Sequence, residues 1–308
     1  MANFTMFVGV SGSGKNTIAA DLSRDTGAEI VSSDAICGEI YGDENCQANP
    51  AKVFEIVHNR IHTALREGRD VVYDATNLSC KRRMAFLKTI AHLDVYKRCV
   101  VVVATPEDIE ERMKLRERKV PMEVVHKQLC QFQCPNYYEG WDKIIVRWES
   151  NRFACAKSFS RLYDTECYIP HDNSHHTFGV RRHMEEAEVI VENNPMATIE
   201  DTWVASMHDC GKPRCKTFTD KKGNRTEEAH YYGHQNYSAY YTLIREGSYG
   251  DRGQPLDMCA AIDNACLVQW HMEHYLRNES SLAKFYEMIG PELTARLHIL
   301  EEADEAAH

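Results

Sequence analysis

The sequence contains no apolar run of 18 residues, no CxxC pair and no excess of basic residues. The first absence excludes a membrane-spanning helix. The 46 acidic residues outnumber the 36 lysines and arginines, giving a net charge of -10. This charge excludes a uniformly basic coat for nucleic acid, so any contact with nucleic acid must use local patches. The start MANFTMFVGV has no basic segment and no cleavage site, so we expect no signal peptide and a cytoplasmic protein.

The chain has 308 residues, a length that predicts about two domains. Its 43% of hydrophobic and 27% of charged residues are ordinary for a globular protein. This composition excludes a disordered chain, a collagen and a small disulfide scaffold. The 12 cysteines are scattered, and in a cytoplasmic protein we expect them to be free thiols.

Residues 1–150 alternate between short apolar runs and amphipathic stretches. The runs are β-branched and nearly continuous, as in buried parallel strands. The predicted strands are Thr5–Val10, Glu29–Ser32, Asp70–Asp74, Arg98–Val103 and Lys143–Val146. The predicted helices are Asn16–Arg24, Ala51–Arg66, Lys81–Ala91, Glu107–Glu117 and Met122–Phe132. This alternation predicts an α/β domain, a parallel sheet with helices on both faces.

The pattern changes after residue 150. Residues 151–169 have no clear period, which predicts a linker with a short helix. From residue 170 to residue 308 helical periodicity dominates, and most of the 15 histidines lie there. One hairpin is predicted at Lys216–Tyr231, with its turn at Lys222-Gly223-Asn224. The second domain is therefore predicted to be all-α with a small β-hairpin.

A glycine-rich segment follows the first predicted strand and opens a helix: Gly9-Val10-Ser11-Gly12-Ser13-Gly14-Lys15-Asn16-Thr17. Its GxxxxGK spacing is that of a P-loop, whose backbone N–H groups surround phosphate oxygens while the lysine reaches the β- and γ-phosphates. The residues predicted to bind ATP, or another nucleoside triphosphate, with Mg²⁺ are Gly12, Ser13, Gly14, Lys15, Asn16 and Thr17. A P-loop normally has Ser or Thr after the lysine as a Mg²⁺ ligand, and Asn16 stands there.

Three charged residues further along suit phosphoryl transfer. Asp34 follows the second predicted strand, at the edge where α/β sheets place ligands. A carboxylate there can accept the proton of an attacking hydroxyl as a general base, and the alternative is a helix N-cap. Arg112 and Arg116 share a helix face. Two guanidinium groups there suit a lid over phosphates, and the alternative is a solvated charged helix.

Other segments complete a family pattern in residues 1–150. They are the strand ending Asp74-Ala75-Thr76-Asn77, the run Arg112–Pro121 and residues 132–142 with their Phe-Gln-Cys-Pro and Glu-Gly-Trp-Asp motifs. With the P-loop and Asp34, they make this half resemble the polynucleotide kinase family of P-loop phosphotransferases.

The resemblance implies transfer of the γ-phosphate of ATP to a 5′-hydroxyl of RNA or DNA. It implies that Lys15 binds phosphate, that Asp34 is the general base and that Arg112 and Arg116 are lid arginines. Members of the family usually carry an arginine three residues after the aspartate, where it contacts the acceptor phosphate. This chain has Cys37 there.

The second half contains His208-Asp209, followed by Cys-Gly-Lys-Pro. One histidine before this pair, and further histidines and an aspartate after it, stand in an order that resembles the HD phosphohydrolase superfamily, an all-helical metal-dependent fold, over nearly all of residues 170–308. The resemblance implies a metal site formed by His183, His208, Asp209 and Asp304. His234 and His271 match members that hold two metals bridged by the aspartate of the pair, and their alternatives are substrate contact or support of the ligands.

Imidazole and carboxylate ligands suit one or two divalent ions of Mn²⁺, Fe²⁺, Co²⁺ or Ni²⁺ better than Ca²⁺. Two such ions can polarise a phosphoryl group and generate a hydroxide. Lys212 could neutralise charge on the transferring phosphate, and His176, in the loop before His183, is the candidate for a phosphate contact. Solvated or hydrogen-bonded roles are favoured for His171, His175, His230 and His274.

Two function classes follow from these motifs. The first is a bifunctional enzyme that heals RNA or DNA ends: a 5′-hydroxyl kinase joined to a phosphatase acting on 2′,3′-cyclic, 2′- or 3′-phosphates, with a polynucleotide ligase as a downstream partner and no membrane partner. Its basic patches would be residues 81–83 and 112–119. The second is a nucleoside or nucleotide kinase fused to a nucleotidase. A non-catalytic ATP sensor that regulates the hydrolase is a third possibility, supported only by Asn16.

Overall fold

The computed structural model describes residues 1–43, 49–116, 119–249 and 258–307. The chain divides into two compact units. The first contains residues 1–104, 112–120 and 135–149. The second contains residues 105–111, 121–134 and 150–308. Two segments of the predicted first domain thus belong to the second unit, because their contacts are made with residues distant in sequence.

The first unit is built on a five-stranded parallel sheet in the order β2-β3-β1-β4-β5. Its strands are β1 (Ala2–Val8), β2 (Glu29–Ser32), β3 (Val71–Asp74), β4 (Val95–Val103) and β5 (Lys143–Trp148). The central strands are almost fully buried, as their continuous apolar sequences predict. The predicted α/β class is confirmed.

The helices that follow the strands begin and end at local signals. They are α1 (Lys15–Thr26), α2 (Ser33–Tyr41), α3 (Pro50–Arg66), α4 (Cys80–Ile90), α5 (Pro106–Leu115) and α6 (Met122–Leu129). Helix α1 ends at Gly27, whose φ of 75° is left-handed, and α3 has Asn49 as its N-cap before Pro50. The predicted end of α5, Glu117, lies outside the described residues, as does Arg118 of the family pattern.

The second unit is helical and contains one small hairpin, as predicted. Its further helices are α7 (Arg152–Arg161), α8 (Val180–Glu192), α9 (Ile199–Met207), α10 (Lys212–Cys215), α11 (His234–Gly247), α12 (Met258–Trp270), α13 (Glu273–Leu276), α14 (Glu279–Ile289) and α15 (Pro291–Ala306). Helix α8 packs against α9 and α15, and α11 packs against α12. No helix among the described residues has the length and apolar character needed to cross a bilayer.

Residues 151–169, predicted as a linker, are mostly helical. Helix α7 continues into a π-helical turn, Leu162–Glu166. The hydroxyl of Ser158 on α7 is buried, donates to Glu107 at 2.7 Å and lies 3.4 Å from the hydroxyl of Tyr241. These contacts place the segment within the second compact unit.

The hairpin pairs β6 (Lys216–Thr219) with β7 (Arg225–Tyr231) in antiparallel fashion. Its turn is held by Asp220, whose carboxylate accepts from the backbone N–H groups of Lys222 and Asn224, each at 2.8 Å. Gly223 adopts a φ of 90° there, a conformation that glycine adopts without strain. The predicted turn is therefore confirmed, and β7 leads directly to the start of α11.

Candidate functional site

The first candidate site is the glycine-rich loop between β1 and α1. Gly14 has a φ of 110°, and a Cβ there would lie 3.1 Å from the Glu149 side chain. Only glycine takes this backbone conformation readily. The loop turns so that the amino-terminal end of α1 faces the carboxyl edge of the sheet, where a helix N-terminus attracts anions. Asn16 and Thr17, on the first turn of α1, are exposed.

Lys15 is buried, and its Nζ donates to the backbone carbonyl of Val10 at 2.8 Å. Burial lowers the pKa of Lys15 to about 8, while the negative charges of Asp74 and Asp34 oppose the lowering. The two carboxylates therefore share one electrostatic environment with the P-loop lysine. This environment, with cationic and anionic groups at a phosphate loop, is the one phosphoryl transfer needs.

Asp34 and Asp74 come from neighbouring strands. Strands β2 and β3 are in parallel register, with Ser32 opposite Asp74. The hydroxyl of Ser32 accepts from the Ala35 N–H at 3.5 Å and is the N-cap of α2. The alternative in which Asp34 caps this helix is therefore wrong, because Asp34 lies within the first turn. Its role as a base stays a prediction.

Asp74 is a site residue to which sequence reasoning gave no role. Its side chain is buried, and burial raises its pKa, with Lys15 acting in the opposite direction. The signal was present: Asp74 ends a buried strand next to β1, and the carboxyl ends of parallel strands meet at one edge. The structure therefore offers two carboxylates near Lys15, not one.

Arg112 and Arg116 are both near the phosphate loop. Arg112 donates to the Ser13 carbonyl at 3.0 Å and to the Glu149 carbonyl at 2.5 Å. Arg116 is exposed, and its charge contributes to lowering the pKa of Lys15. Arg112 is therefore anchored against the loop, whereas Arg116 is the guanidinium with more freedom to reach a phosphate. The lid function of both stays a prediction.

Arg83, counted in a basic patch for nucleic acid, has a structural role. Its guanidinium donates to the two oxygens of Glu139 at 2.8 and 2.6 Å, and both side chains are fully buried. It also donates to the carbonyls of Asn77 and Leu78. Glu139 accepts from the Trp141 indole N–H at 3.1 Å. The patch at residues 81–83 is thus reduced to Lys81 and Arg82.

The second candidate site lies in the helical unit and gathers side chains from five helical elements. His183 is on α8, His208 and Asp209 follow α9, and Asp304 is on α15. The His183 Nε2 lies 3.1 Å from the His208 Nε2 and 2.8 Å from the Asp304 Oδ1. The Asp209 Oδ2 lies 3.5 Å from the His183 Nε2. These donor atoms are close enough to share one ion.

The other oxygen of Asp209 faces a second group. Its Oδ1 lies 3.2 Å from the Nε2 of His234, the first residue of α11. It lies 3.7 Å from the Nε2 of His271, which follows α12. Asp209, His234 and His271 form a second set of potential ligands. The structure thus brings together all six predicted ligands, with one carboxylate between two sets.

The orientation of the imidazoles fits a metal centre. In all four rings Nδ1 faces a backbone carbonyl at 2.6 to 2.8 Å, and these partners are Ala307, Ala205, Tyr231 and Val268. A ring that donates from Nδ1 presents an Nε2 lone pair when it is neutral. The Asp209 Oδ1 is buried and has no hydrogen-bond partner in the described part of the chain. Lone pairs and carboxylates that converge in this way repel one another unless a cation lies between them.

The pKa shifts of Asp209 and His271 also suit metal binding. Although burial opposes ionisation, Lys212 and His208 hold the pKa of Asp209 well below its usual range. Burial lowers the pKa of His271 to about 3, with the charge of His208 as the next cause. The aspartate is therefore a carboxylate and His271 a neutral ring at pH 7. These are the protonation states in which both groups bind metals, whereas His208, whose pKa is raised to about 10 by Asp209 and Asp304 despite its burial, would have to lose a proton to bind one.

Lys212 lies beside the cluster with its three ammonium protons directed to three acceptors. Its Nζ lies 2.6 Å from the Asp209 Oδ2, 3.1 Å from the His171 Nε2 and 3.0 Å from the His176 Nε2. Burial, followed by the charge of Lys212, lowers the pKa of His171 to about 4 and of His176 to about 2. Both rings are neutral acceptors at pH 7. Sequence reasoning missed His171 as a partner of Lys212.

The cluster opens into a cavity of about 530 Å³. Asp209, His234, His271, Asp304, Lys212 and His176 line its polar side. Tyr231, Tyr232, Tyr275, His230 and Met272 form its apolar and aromatic walls. A cavity of this size accommodates a ligand the size of a nucleotide.

Comparisons with known proteins concern the amino-terminal half. The profile of a family described as AAA domain matches residues 4–135. Similar solved structures include a sugar kinase from Janibacter sp., which is 20% identical to this chain with a TM-score of 0.38. The alignment covers 48% of this chain and 86% of the sugar kinase. A gluconokinase from Sinorhizobium meliloti is 18% identical with a TM-score of 0.37, covering 48% of this chain and 83% of that one.

A further similar structure is the APS kinase of Mycobacterium tuberculosis, 17% identical with a TM-score of 0.35, covering 47% of this chain and 88% of that one. A search of curated protein sequences finds no significant match. The family match and the geometry of the glycine loop agree that the first half is an α/β domain with a P-loop. The interpretation of the second half depends on the geometry of its own side chains.

Proposed function

We propose that this protein is a bifunctional enzyme that repairs RNA or DNA ends. Its P-loop unit phosphorylates 5′-hydroxyl ends with ATP, and its helical unit removes 2′,3′-cyclic, 2′- or 3′-phosphates. The observation that carries the proposal is Asp209, whose two oxygens face two separate groups of imidazole nitrogens. A kinase site followed by such a phosphohydrolase site would convert both ends of a strand break that cannot be ligated into ends that a ligase can join.

The kinase half of the proposal is supported by Lys15, Asp34 and Asp74 at one edge of the sheet. Lys15 binds phosphate oxygens as a buried cation. Asp34 accepts the proton of the attacking hydroxyl, which makes the oxygen a better nucleophile. Arg116 neutralises charge on the transferred phosphoryl group. Residues Gly12–Thr17 hold the nucleotide triphosphate and its Mg²⁺.

The hydrolase half is supported by the donor set and by Lys212. His183, His208 and Asp304 would hold one ion with Asp209, and His234 and His271 would hold a second. The chemistry that divalent ions supply when bound there is polarisation of a phosphoryl group and activation of water. Lys212 binds a phosphate oxygen by exchanging one of its present acceptors, and His176 contacts the same group at the cavity wall.

The aromatic wall of the cavity supports a terminal nucleotide as substrate. The rings of His230 and Tyr232 stack at 5.3 Å with an interplanar angle of 14°, and Tyr232 is 39% exposed. Tyr275, at 56% exposed, lies on another wall of the cavity. Exposed rings beside a phosphate-binding centre suit stacking with a nucleobase, which is largely independent of sequence.

The alternative, a nucleoside or nucleotide kinase joined to a nucleotidase, is favoured by two observations. Cys37 occupies the position where the polynucleotide kinase family usually has an arginine for the acceptor phosphate. Arg83 is buried and leaves a smaller basic surface for a polynucleotide. Both hypotheses share the P-loop, the metal centre and the nucleotide-sized cavity, and they differ only in whether a strand continues beyond the terminal nucleotide.

The test is a direct competition between substrates. The full chain, loaded with Mn²⁺ and supplied with γ-labelled ATP and Mg²⁺, is offered a 5′-hydroxyl, 3′-phosphate oligonucleotide of RNA or DNA together with free nucleosides. We expect label on the oligonucleotide and release of its 3′-phosphate. Lys15→Ala should abolish only the labelling, and Asp209→Ala only the release. Label on nucleosides alone would favour the alternative, and retention of both activities in both variants would reject both hypotheses.

A further inference from the structure

Two cysteines from distant parts of the helical unit meet behind the metal centre. Cys130 follows α6 and Cys215 ends α10, 85 residues later, yet their sulfur atoms are 3.5 Å apart. A disulfide requires about 2.05 Å between sulfurs. The two sulfurs would have to approach by about 1.5 Å to form the bond.

The two thiols are not equivalent. Cys130 is half-buried, and its sulfur lies 3.8 Å from the His126 Nδ1. Cys215 is only 8% exposed. The hydrogen bond from Cys215 lowers the pKa of the Cys130 thiol, and His126 contributes in the same direction. The same contact raises the pKa of Cys215. Cys130 has the environment of an attacking thiolate, and Cys215 that of a resolving thiol.

A second cavity lies next to the residues that flank the two cysteines. It has a volume of about 540 Å³, and His126 and Leu129, just before Cys130, lie in its wall. Arg214, the neighbour of Cys215, lines it too. Neither cysteine lines the cavity itself, but Cys130 is only half-buried, so this residue is partly accessible to a small disulfide.

We propose that Cys130 and Cys215 form a redox modification site that is oxidised by a low-molecular-weight disulfide of the glutathione class. The Cys130 thiolate attacks one sulfur of the small disulfide, and one thiolate leaves to give a mixed disulfide. Cys215 then loses its proton to water and attacks the Cys130 sulfur, and the second small thiolate leaves. One small disulfide is reduced to two thiols, and two protein thiols are oxidised to one disulfide.

The position of the bond connects it to the metal centre. Cys215 ends the four-residue helix α10 that begins at Lys212. The Cys130 carbonyl accepts from Asn236 Nδ2 at 2.8 Å on the first turn of α11, and any Cβ at Gly233 would clash with it. The bond would therefore tie together the segments that carry Lys212 and His234. This site is independent of the proposed function, since it needs only the two thiols.

The experiment uses the metal-loaded full chain in glutathione buffers of increasing oxidised fraction. Samples are quenched in acid, alkylated and mapped by peptide mass spectrometry, with a non-reducing gel to separate monomer from dimer. We expect a cross-linked peptide joining Cys130 and Cys215 within the monomer. The exposed Cys259 should carry one glutathione, and this shows that the oxidant has acted. A monomer with oxidised Cys259 and no 130–215 cross-link would overturn the proposal.

Serine variants give an independent result. Cys215→Ser should trap glutathione on Cys130, whereas Cys130→Ser should leave Cys215 reduced, and Cys259→Ser, the control, should keep the cross-link. The cross-link closes a long loop, so the melting temperature of the oxidised wild type should rise by roughly 5 to 10 °C. The rise should be absent in Cys215→Ser. A cross-link found only in dimers, or an unchanged melting temperature, would also contradict the proposal.

Discussion

The candidate phosphate site and the candidate metal centre are built in opposite ways. The candidate phosphate site is centred on one short segment, Gly9–Thr17, in which the Lys15 Nζ donates to the Val10 carbonyl. In the metal centre, His183 and Asp304 lie 2.8 Å apart but are separated by 121 positions in the chain. The first site needs a local loop conformation, whereas the second needs several helices to pack correctly before any ligand set exists. The two sites should therefore respond differently to substitution.

The largest expected effect is that of substituting Asp209, which should impair the metal centre and leave the phosphate site intact. Asp209→Ala removes the only side chain that faces both ligand sets in the described residues. We expect bound transition metal to fall toward zero and phosphohydrolase activity to fall by about 10³-fold or more. His271→Ala should remove mainly one metal equivalent. Elemental analysis with an activity assay checks both results, while kinase activity should stay within about twofold.

A matched control for the metal centre is Glu302→Gln, an exposed carboxylate on α15 near Asp304. It should change neither metal content nor activity. Melting curves are needed for each variant, since metal binding is linked to folding. A wild type that holds one metal or fewer after refilling with Mn²⁺ would contradict the two-metal arrangement and leave the set of His183, His208, Asp209 and Asp304.

The next effect concerns Asp34, the proposed base in the candidate phosphate site. Asp34→Asn should lower the kinase rate by about 10²-fold or more, because proton acceptance is lost, and ATP affinity should change little. Glu39→Gln on the same helix, an exposed partner of Arg60, is the control and should be neutral. Steady-state kinetics with ATP titrations measure both. If Asp74→Asn loses rate with unchanged ATP affinity while Asp34→Asn does not, Asp74 is the base.

A third effect tests the stability of the first unit alone. Arg83→Met leaves the Glu139 carboxylate buried without its cation, which should cost about 3 to 5 kcal/mol of unfolding free energy. The double variant Arg83→Met with Glu139→Met should recover much of this loss. Arg82→Met, which is exposed, is the control. Urea unfolding followed by two probes should show the loss in one transition only. An equal loss in Arg82→Met would contradict a structural role specific to Arg83.

The smallest effect is a pH dependence confined to the phosphate site. With its pKa lowered to about 8, Lys15 is charged below that pH and neutral above it. Only the charged form attracts phosphate, so the Kd for ATP should rise about tenfold between pH 7 and pH 9. Titration calorimetry measures it. Lys15→Arg keeps its charge throughout this range and should show a flat profile. A flat profile in the wild type would place the lysine pKa elsewhere.

The predictable part of this protein is the part that depends on near neighbours. Sequence patterns predicted the P-loop spacing, the strand alternation and the turn at Gly223, because each involves residues within a few positions of one another. Asp34 shows a limit of prediction from near neighbours. Its position before a helix suggested a cap, but Ser32, two residues earlier, makes the capping hydrogen bond. This hydrogen bond excludes the capping role of Asp34, and its role as a general base stays a prediction.

Charge runs were the least informative signal. The run at residues 81–83 was assigned to a basic surface, yet Arg83 is fully buried against Glu139. Nothing in the local sequence distinguishes Arg83 from Arg82, because the partner lies 56 positions away. Similarly, nothing in the sequence distinguishes His171 from an ordinary loop histidine, whereas in the structure its Nε2 lies 3.1 Å from the Nζ of Lys212.

The sequence by itself determined the phosphate loop, the alternating α/β half, the helical second half and the identities of the candidate ligands. The resemblance implied that Asp209 lies between two ligand sets, but the distances among these side chains were decided only by tertiary structure. The two-sided position of Asp209, the three acceptors around Lys212 and the meeting of Cys130 with Cys215 each join elements far apart in the chain. Local conformation follows from hydrogen bonds and steric limits over a few residues. Convergence of distant side chains depends instead on how whole helices pack, which no short pattern encodes.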